Sequence, residues 1–363
     1  MDMERHWFPC VDRDIKRQSF ASCICKIYEK LVDNKSREIY EKRLLYSLTN
    51  NYRCIYDIIK NEQAGIAFID LLQKRGKFQN IYIYGAGIVG TRLPKLYPKI
   101  NWAGYFDKKA AEYSVCNGMP VQNADDVCGG GYLGGLIVIS NTVGFEAIRE
   151  DLIKQGVKKE NILILQEYNE KAKRNQYFEK NCIGTGADMK GCFVDIGCYD
   201  GEDIMNFYKW SKEESRHVVA FEADACNYQR CIENLKEYKN IKIYNVGISD
   251  KEGTLKFKLD GSQSSRFSDE GNKDVITEPL DSLMKEMTAG FIKMDVEGME
   301  EKVICGARAV IARDRPILAV SIYHKRSDIW KIPQLLLDIN PEYRFYLRHY
   351  SLGVIDTVLY AVC

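Results

Sequence analysis

The sequence lacks any apolar run long enough to cross a membrane. Its longest strongly apolar stretches, near residues 136–139 and 162–165, fall far short of the roughly 20 residues that a transmembrane helix needs. The first residues, Met-Asp-Met-Glu-Arg-His, contain no apolar segment of the kind that a secretory signal requires. We therefore expect a cytoplasmic protein without a membrane span.

The sequence also lacks an excess of charge of either sign. Its 52 Lys and Arg residues and 51 Asp and Glu residues give a formal net charge of +1. This balance argues against a broad basic surface, and we expect no nucleic-acid partner. The 363 residues are 45% hydrophobic and 28% charged, which is typical of a globular protein of two or three domains.

A paired cysteine framework is missing, although the chain has 13 cysteines. The count is odd, and spacings such as Cys23-x-Cys25 do not form the paired motifs of a zinc ribbon. Several cysteines lie inside apolar runs, as Cys192 does. We expect nearly all of them to be small buried hydrophobic residues in a reducing cytosol.

Three regions follow one another along the chain. Residues 1–75 have helical spacing of apolar side chains and form either a helical cap or a contact between copies of the chain. Residues 76–170 alternate short apolar strands with helices, and residues 171–363 repeat that alternation on a larger scale. The alternation predicts α/β architecture with parallel sheets and crossover helices.

The first glycine motif directly follows a predicted strand. Gly85, Gly87 and Gly90 form a G-x-G-x-x-G turn, and Asp107 ends the next strand about 20 residues on, where an acid that binds ribose lies in Rossmann folds. Pro94 shortens or kinks the helix that follows. The motif binds a nucleotide or sugar nucleotide, or takes part in NAD-linked chemistry, or only packs; no Tyr-x-x-x-Lys pair that would support hydride transfer accompanies it.

The second glycine motif follows a strand that ends in an acid. Asp195 precedes Gly197 and Gly201, and Glu222 ends the next strand in a position to bind both hydroxyls of a ribose. Two further strands end near Gly247 and Ser249, where an adenine edge could lie, and near Asp295 and Glu297. Ligands of open α/β sheets bind at this carboxyl edge.

The blocks in this region resemble the FkbM family of S-adenosylmethionine-dependent methyltransferases, over about residues 190–325. The matching segments are Val-Asp-Ile-Gly at 194–197, Phe-Glu at 221–222, Leu-Asp-Ser-Leu at 280–283, Ile-Lys-Met-Asp-Val-Glu-Gly-Met-Glu at 292–300, Gly-Ala at 306–307 and Arg-Pro at 315–316. The resemblance implies a seven-stranded methyltransferase (Rossmann-like) sheet with its last strand antiparallel. It also implies methyl transfer, usually to a hydroxyl of a sugar or natural product.

The resemblance also implies roles for single residues. Those that would line the S-adenosylmethionine site are Asp195, Gly197, Tyr199, Gly201, Glu222, Ala223, Gly247 and Ser249. Asp295 and Glu297 would lie beside the sulfonium or the acceptor, unless they only cap the helix that follows. Tyr199 stands where a glycine is common, and Ala223 where a proline is.

Ser321 stands where many family members have a glutamate, which directs attention to the nearby His324. An unperturbed pKa of about 6.5 suits His324 as a general base or acceptor-positioning group, with Asp295 orienting it or the acceptor. The alternative for His324 is a polar loop residue. The acids could instead hold a divalent cation such as Mg²⁺.

We therefore predict a methyltransferase that O-methylates a sugar or polysaccharide precursor, with a small-molecule or glycan acceptor. Residues 260–273, polar and rich in serine, form either a lid or a surface loop. The alternatives are a nucleotide-binding protein without turnover and an NAD-linked sugar-nucleotide enzyme that uses the first glycine motif.

Overall fold

The computed structural model describes residues 20–363 except 78, 130–131, 133, 187–188, 214, 259–265, 268–270 and 272. Most of the predicted lid at 260–273 thus lies outside the described residues. The described chain forms two compact units. Unit 1 comprises the described residues up to Leu44 together with Gln176–Arg348 and Thr357–Cys363, and unit 2 comprises Leu45–Asn175 and His349–Asp356. The helical region predicted at 1–75 is thus divided between the units rather than forming one of its own.

The helices, in chain order, are α1 (Phe20–Glu29), α2 (Asn34–Thr49), α3 (Tyr52–Ile59), α4 (Gln63–Gly76), α5 (Ile88–Leu96), α6 (Phe145–Lys154), α7 (Leu165–Lys173), α8 (Lys180–Ile183), α9 (Glu202–Ser211), α10 (Ala225–Leu235), α11 (Leu280–Leu283), α12 (Glu300–Gly306), α13 (Arg308–Asp314) and α14 (Asp328–Ile339). In the described part of the chain, none of them is both long and apolar enough to cross a membrane.

The strands, in chain order, are β1 (Ile81–Tyr84), β2 (Trp102–Asp107), β3 (Val115–Cys116), β4 (Met119–Asn123), β5 (Leu136–Ile139), β6 (Ile162–Ile164), β7 (Cys192–Ile196), β8 (Val218–Phe221), β9 (Ile241–Tyr244), β10 (Gly247–Ile248), β11 (Gly253–Lys258), β12 (Arg266–Phe267), β13 (Lys273–Glu278), β14 (Ala289–Met294), β15 (Ile317–Ser321), β16 (Arg344–His349) and β17 (Thr357–Val362).

Unit 1 is built around a seven-stranded sheet in the order β16-β17-β15-β14-β7-β8-β9. The pairings from β15 through β14, β7 and β8 to β9 are parallel, and β17 runs antiparallel to β15. The predicted α/β architecture with a parallel sheet is confirmed. A separate sheet in the order β10-β13-β11-β12 was not predicted, because its strands are short or exposed on one face.

The central strands of this sheet are buried because their side chains are apolar on both faces. All residues of β7 and β8 are buried, which is expected of parallel strands covered by helices. Phe193 of β7 stacks on Phe207 of α9 with a centroid distance of 4.3 Å, and Phe291 of β14 meets Phe193 edge-on. This core fixes the carboxyl ends of β7, β8, β14 and β15 at one edge of the sheet.

Unit 2 contains a six-stranded sheet in the order β3-β4-β2-β1-β5-β6. The apolar runs at 81–84, 102–106, 136–139 and 162–165 predict four strands in this region. The missed strands, β3 and β4, form an antiparallel pair joined by a tight turn. α5 is nine residues long and contains Pro94, which agrees with the predicted shortening of this helix.

The cysteine prediction is only partly right. Among the described cysteines none forms a disulfide, and those that are buried are Cys54, Cys182, Cys192, Cys198 and Cys231. The expectation that nearly all are buried is wrong, because four are exposed, namely Cys25, Cys128, Cys226 and Cys363.

The glycines of the first motif differ in how closely they are packed. A Cβ atom on Gly90 would collide with the carbonyl oxygen of Gly85 and would lie 2.7 Å from the hydroxyl of Ser140. A Cβ atom on Gly87 would meet nothing within 4 Å. Gly90 is therefore required for the close packing of α5 on β1 and β5, whereas Gly87 leaves open space at the helix N-terminus.

We predict that Gly90→Ala lowers the free energy of unfolding of unit 2 by about 1–3 kcal/mol, the usual cost of overpacking. Gly87→Ala, whose φ of −74° any residue can adopt, serves as the matched control and should change it little. Urea denaturation followed by fluorescence measures both variants. Equal stability of the two would show that the Gly90 contact is not required.

Candidate active site

The glycine turn after β7 brings two strand ends into contact. Gly197 has a φ of +82°, and a Cβ atom there would collide with the carbonyl oxygen of Asp295, which follows β14. Tyr199 also adopts a positive φ, +50°, and Gly201, with a φ of +87°, precedes α9. A positive φ is unfavourable for a residue with a side chain, so the position of Tyr199 is strained where a glycine would not be.

Glu222 is fixed at the end of β8 by two backbone donors. Its Oε2 accepts a hydrogen bond from the amide of Tyr199 at 2.9 Å, and its Oε1 accepts one from the amide of Asp224 at 2.8 Å. Asn245 donates its side-chain amide to the carbonyl oxygen of Glu222 at 2.8 Å. Burial raises the pKa of Glu222 to about 7, although the two amides oppose this shift.

A buried charge cluster lies beneath the glycine turn. The Nζ atom of Lys293 is 3.0 Å from Oδ1 of Asp195 and 3.1 Å from Oδ2 of Asp203, and it donates to the carbonyl oxygen of Gly197 at 2.8 Å. Burial opposes the charge on Lys293, yet the carboxylates around it, including that of Asp295, raise its pKa. Burial raises the pKa of Asp195 to about 6, against the attraction of Lys293.

Asp295 is tied to two tyrosines at the carboxyl edge. Tyr177 donates its hydroxyl to Oδ2 of Asp295 at 2.8 Å, and Tyr323 donates to Oδ1 at 3.3 Å. Tyr177 also lies 3.1 Å from the hydroxyl of Ser321. Burial favours the neutral acid, but His324, Lys293 and these hydroxyls together lower the pKa of Asp295. Its side chain keeps 26% exposure, so a ligand can reach the carboxylate.

His324 is surrounded by acids. Its Nδ1 is 2.8 Å from Oε1 of Glu300, and its Nε2 is 3.5 Å from Oδ1 of Asp295 and 3.6 Å from Oε2 of Glu297. Burial opposes the charged ring, but Glu300, Asp295 and Glu297 raise the pKa of His324 to about 10. The acids around His324 thus favour the charged ring, so the unperturbed pKa of about 6.5 does not apply in this environment.

Asp295 does not cap the helix that follows it. α12 begins at Glu300 with Met299 at its N-cap position, and the N-cap carries no side-chain hydrogen bond. Instead, Glu300 itself accepts bonds from the amides of Val296 at 3.2 Å and Gly298 at 3.4 Å. The structure thus leaves the Asp295 carboxylate facing hydroxyl groups rather than a helix end.

The predicted site residues fall into three groups. The glycine turn, Glu222, Ala223 and the group of Asp295, Glu297 and His324 all follow strands of the large sheet of unit 1. Gly247 lies in β10, and Ser249 is 1% exposed with its hydroxyl bonded to Asp250. The motif with Gly85, Gly87, Gly90 and Asp107 belongs to unit 2, so it forms no part of the arrangement in unit 1.

In unit 2, Asp107 bonds to its own glycine turn. Its Oδ2 accepts from the amide of Ala86 at 2.6 Å, and its Oδ1 accepts from the amide of Lys109 at 2.8 Å. The Ala86 amide of this turn is thus already bonded to a carboxylate, and a ligand of the motif stays a prediction.

Residues 195–351 match the family model described as the methyltransferase FkbM domain. This part of the chain therefore resembles the FkbM methyltransferase family. The matched FkbM domain contains the glycine turn, Glu222, Lys293 and the group around His324. The resemblance inferred from the sequence motifs is thereby confirmed.

Individual proteins are similar over differing shares of the chain. The chain is 29% identical over 148 residues to the 2-O-methyltransferase NoeI of Sinorhizobium fredii, which covers 34% of this chain and 59% of that relative. A crystal structure of methyltransferase FkbM from Methylobacillus flagellatus is 16% identical, with a TM-score of 0.45, over 87% of this chain and 100% of that chain. Fibrillarin of Aeropyrum pernix, crystallised with S-adenosyl-L-methionine, is 11% identical, with a TM-score of 0.33, over 50% and 71% of the two chains.

Three side chains of the site were not predicted from the sequence. Tyr177 precedes the matched family region, and Asp203 lies in the first turn of α9. Lys293 was seen only as part of the motif and was given no role. The spacing of Lys293 and Asp295 at the end of a buried strand could have indicated the charge cluster, because a buried lysine requires acidic partners.

We predict that Lys293→Met lowers the free energy of unfolding at pH 7 by about 3–5 kcal/mol, because it leaves Asp195 buried without its counter-ion. The double variant Lys293→Met/Asp195→Asn should recover part of that loss, since the uncompensated charge is gone. Thermal and urea unfolding of the single and double variants form a double-mutant cycle. Strictly additive losses would show that the two side chains do not interact.

Proposed function

We propose that the chain is an S-adenosylmethionine-dependent O-methyltransferase whose acceptor is a hydroxyl of a sugar or polysaccharide precursor. The observation that carries the proposal is the fixed carboxylate of Glu222 beside the glycine turn within an FkbM domain. The NoeI relative, named as a 2-O-methyltransferase, supports a hydroxyl as the acceptor. The strand order of the seven-stranded sheet supports a methyltransferase of the Rossmann-like class.

Glu222 would bind the ribose of the cofactor. Each of its oxygens accepts one backbone amide, which orients the carboxylate and leaves a second lone pair on each oxygen. Two hydroxyls on adjacent ribose carbons match such a pair of acceptors. The backbone of the glycine turn would accommodate the methionine part, with the buried Asp195 carboxylate beneath it compensated by Lys293.

The acceptor hydroxyl would approach the group of Asp295, Glu297 and His324. In the transfer, its oxygen forms a bond to the methyl carbon, and the bonding pair between carbon and sulfur stays on sulfur, giving S-adenosylhomocysteine. The hydroxyl proton passes to one of the two carboxylates, Asp295 or Glu297. Because the surrounding acids favour a proton on its ring, His324 would hold the acceptor as a donor rather than act as the base while no cation is bound to it.

The main contribution of the protein to the reaction would be to position the acceptor hydroxyl against the methyl group of the cofactor. The sulfonium already supplies the leaving group, so alignment of oxygen, carbon and sulfur is the main requirement, and alignment can supply about 7–11 kcal/mol at its limit. Tyr177 and Tyr323 serve this purpose because they fix the orientation of Asp295. Transfer of labelled methyl from S-adenosylmethionine to a panel of sugar acceptors tests the proposal, and no transfer to any hydroxyl compound would argue against it.

We predict that Glu222→Ala weakens S-adenosylmethionine binding by roughly ten- to a hundredfold, the loss of a charge-assisted pair of hydrogen bonds. Glu233→Ala, an exposed position on α10, is the matched control and should bind as the unchanged protein does. Isothermal titration calorimetry measures both. An unchanged affinity in a folded Glu222→Ala protein would remove the ribose assignment.

The pH dependence of binding follows from the same carboxylate. Because the pKa of Glu222 is raised to about 7, the group is largely protonated below that value and accepts fewer hydrogen bonds. Affinity for S-adenosylmethionine should therefore increase as the pH rises through about 7. Glu222→Gln should abolish this increase, and a slope that persists in the variant would assign the titration to another group.

A further inference from the structure

A group of acids surrounds one buried imidazole in unit 1. Ligating atoms of Asp295, Glu300 and His324 lie within 4.8 Å of one another, and Oε2 of Glu297 is 3.6 Å from Nε2 of His324. The one cationic group among them is the histidine itself, and only when it is protonated. A cluster of acids alone does not define a metal site. Whether a cation binds here therefore depends on the surroundings of the His324 imidazole.

The Nε2 atom of His324 is buried and has no hydrogen-bond partner among the described residues. The ring is 9% exposed, and Nε2 lies 3.5 Å from Oδ1 of Asp295 and 3.6 Å from Oε2 of Glu297. Both distances are longer than a hydrogen bond. They are close to the separation of two atoms bound to one cation, roughly 3–3.5 Å for bonds of about 2.0–2.2 Å. The nitrogen therefore faces a position that a cation would fill.

Glu300 fixes the ring in the orientation that such a cation needs. Its Oε1 lies 2.8 Å from Nδ1 of His324, on the opposite side of the ring from Nε2. Glu300 is 1% exposed and is itself held by the amides of Val296 and Gly298. With Nδ1–H donated to this carboxylate, Nε2 can bind a cation in place of its own proton, which is the usual arrangement behind a histidine ligand.

We propose that a divalent transition-metal cation of the Mn²⁺ type binds in unit 1 to Nε2 of His324 and to the carboxylates of Asp295 and Glu297. Imidazole together with carboxylates suits Mn²⁺ better than Mg²⁺, which prefers oxygen ligands only. The chemistry such a cation supplies is polarisation of a bound hydroxyl. That role rests on the proposed function, whereas the binding itself does not.

The test is a titration of the EDTA-treated full chain with Mn²⁺ alone, with the free ion measured by electron paramagnetic resonance. We expect one tightly bound ion per chain. His324→Gln and Asp295→Asn should weaken it by at least roughly tenfold, and Glu300→Gln by about 10–100-fold through the lost orientation. Glu233→Gln, an exposed acid on α10, should leave binding unchanged.

Two results would overturn the proposal: no bound Mn²⁺ in the unchanged chain, or equal binding in all of these variants. Should a variant fail to fold, the nitrogen hyperfine coupling of Mn²⁺ bound to the unchanged chain answers the question, since only an imidazole ligand produces it. Absence of that coupling would exclude His324. Calorimetry with S-adenosylmethionine separates the two proposals, because Mn²⁺ binding without cofactor binding would contradict the proposed function alone.

Discussion

The ion pairs and the hydrogen bond of the Lys293 ammonium group are the interactions on which unit 1 depends most. Lys293 extends from β14, pairs with Asp195 of β7 and Asp203 of α9, and donates to the carbonyl oxygen of Gly197. Asp195 could not remain charged and buried so close to a second acid without a cation between them. The same contact fixes the glycine turn against the end of β14, so the ends of β7 and β14 share one electrostatic centre.

In each unit, an acid at the end of the second parallel strand along the chain accepts hydrogen bonds from two backbone amides. Glu222 accepts the amide of Tyr199 in the glycine turn and that of Asp224 two residues on. Asp107 accepts the amide of Ala86 in its own turn and that of Lys109 two residues on. An acid that bonds to the turn holds it in shape before any ligand arrives. This likeness is in hydrogen bonding rather than in sequence, which explains why no residue-level repeat is visible.

The sequence predicted the strands of the large sheet well because buried parallel strands are continuous apolar runs. The apolar runs at 192–196, 218–221, 317–321 and 357–362 predict four strands with the bounds that β7, β8, β15 and β17 have in the structure. The small sheet was missed because strands such as β13 alternate exposed and buried residues over a short length. β3, of only two residues, carries no pattern at all.

The sequence predicted only those residues of the candidate site that belong to a recognisable motif. Glu222 and Asp295 follow recognisable strands, but Tyr177 reaches Asp295 across 118 residues of chain and belongs to no motif. The pKa of His324 could not be read from its neighbours along the chain, because the acids that raise it come from residues 295–300. Such effects arise from the packing of loops and are absent from local sequence.

The central claim is that the methyl donor binds in unit 1, between the glycine turn and Glu222. Ultraviolet cross-linking of radiolabelled S-adenosylmethionine to the full chain, followed by peptide mapping, tests it most directly. The account predicts that the label lies on a peptide between Gly197 and Glu222 and that an excess of S-adenosylhomocysteine prevents labelling. Label found instead between Gly85 and Asp107 of unit 2 would contradict it.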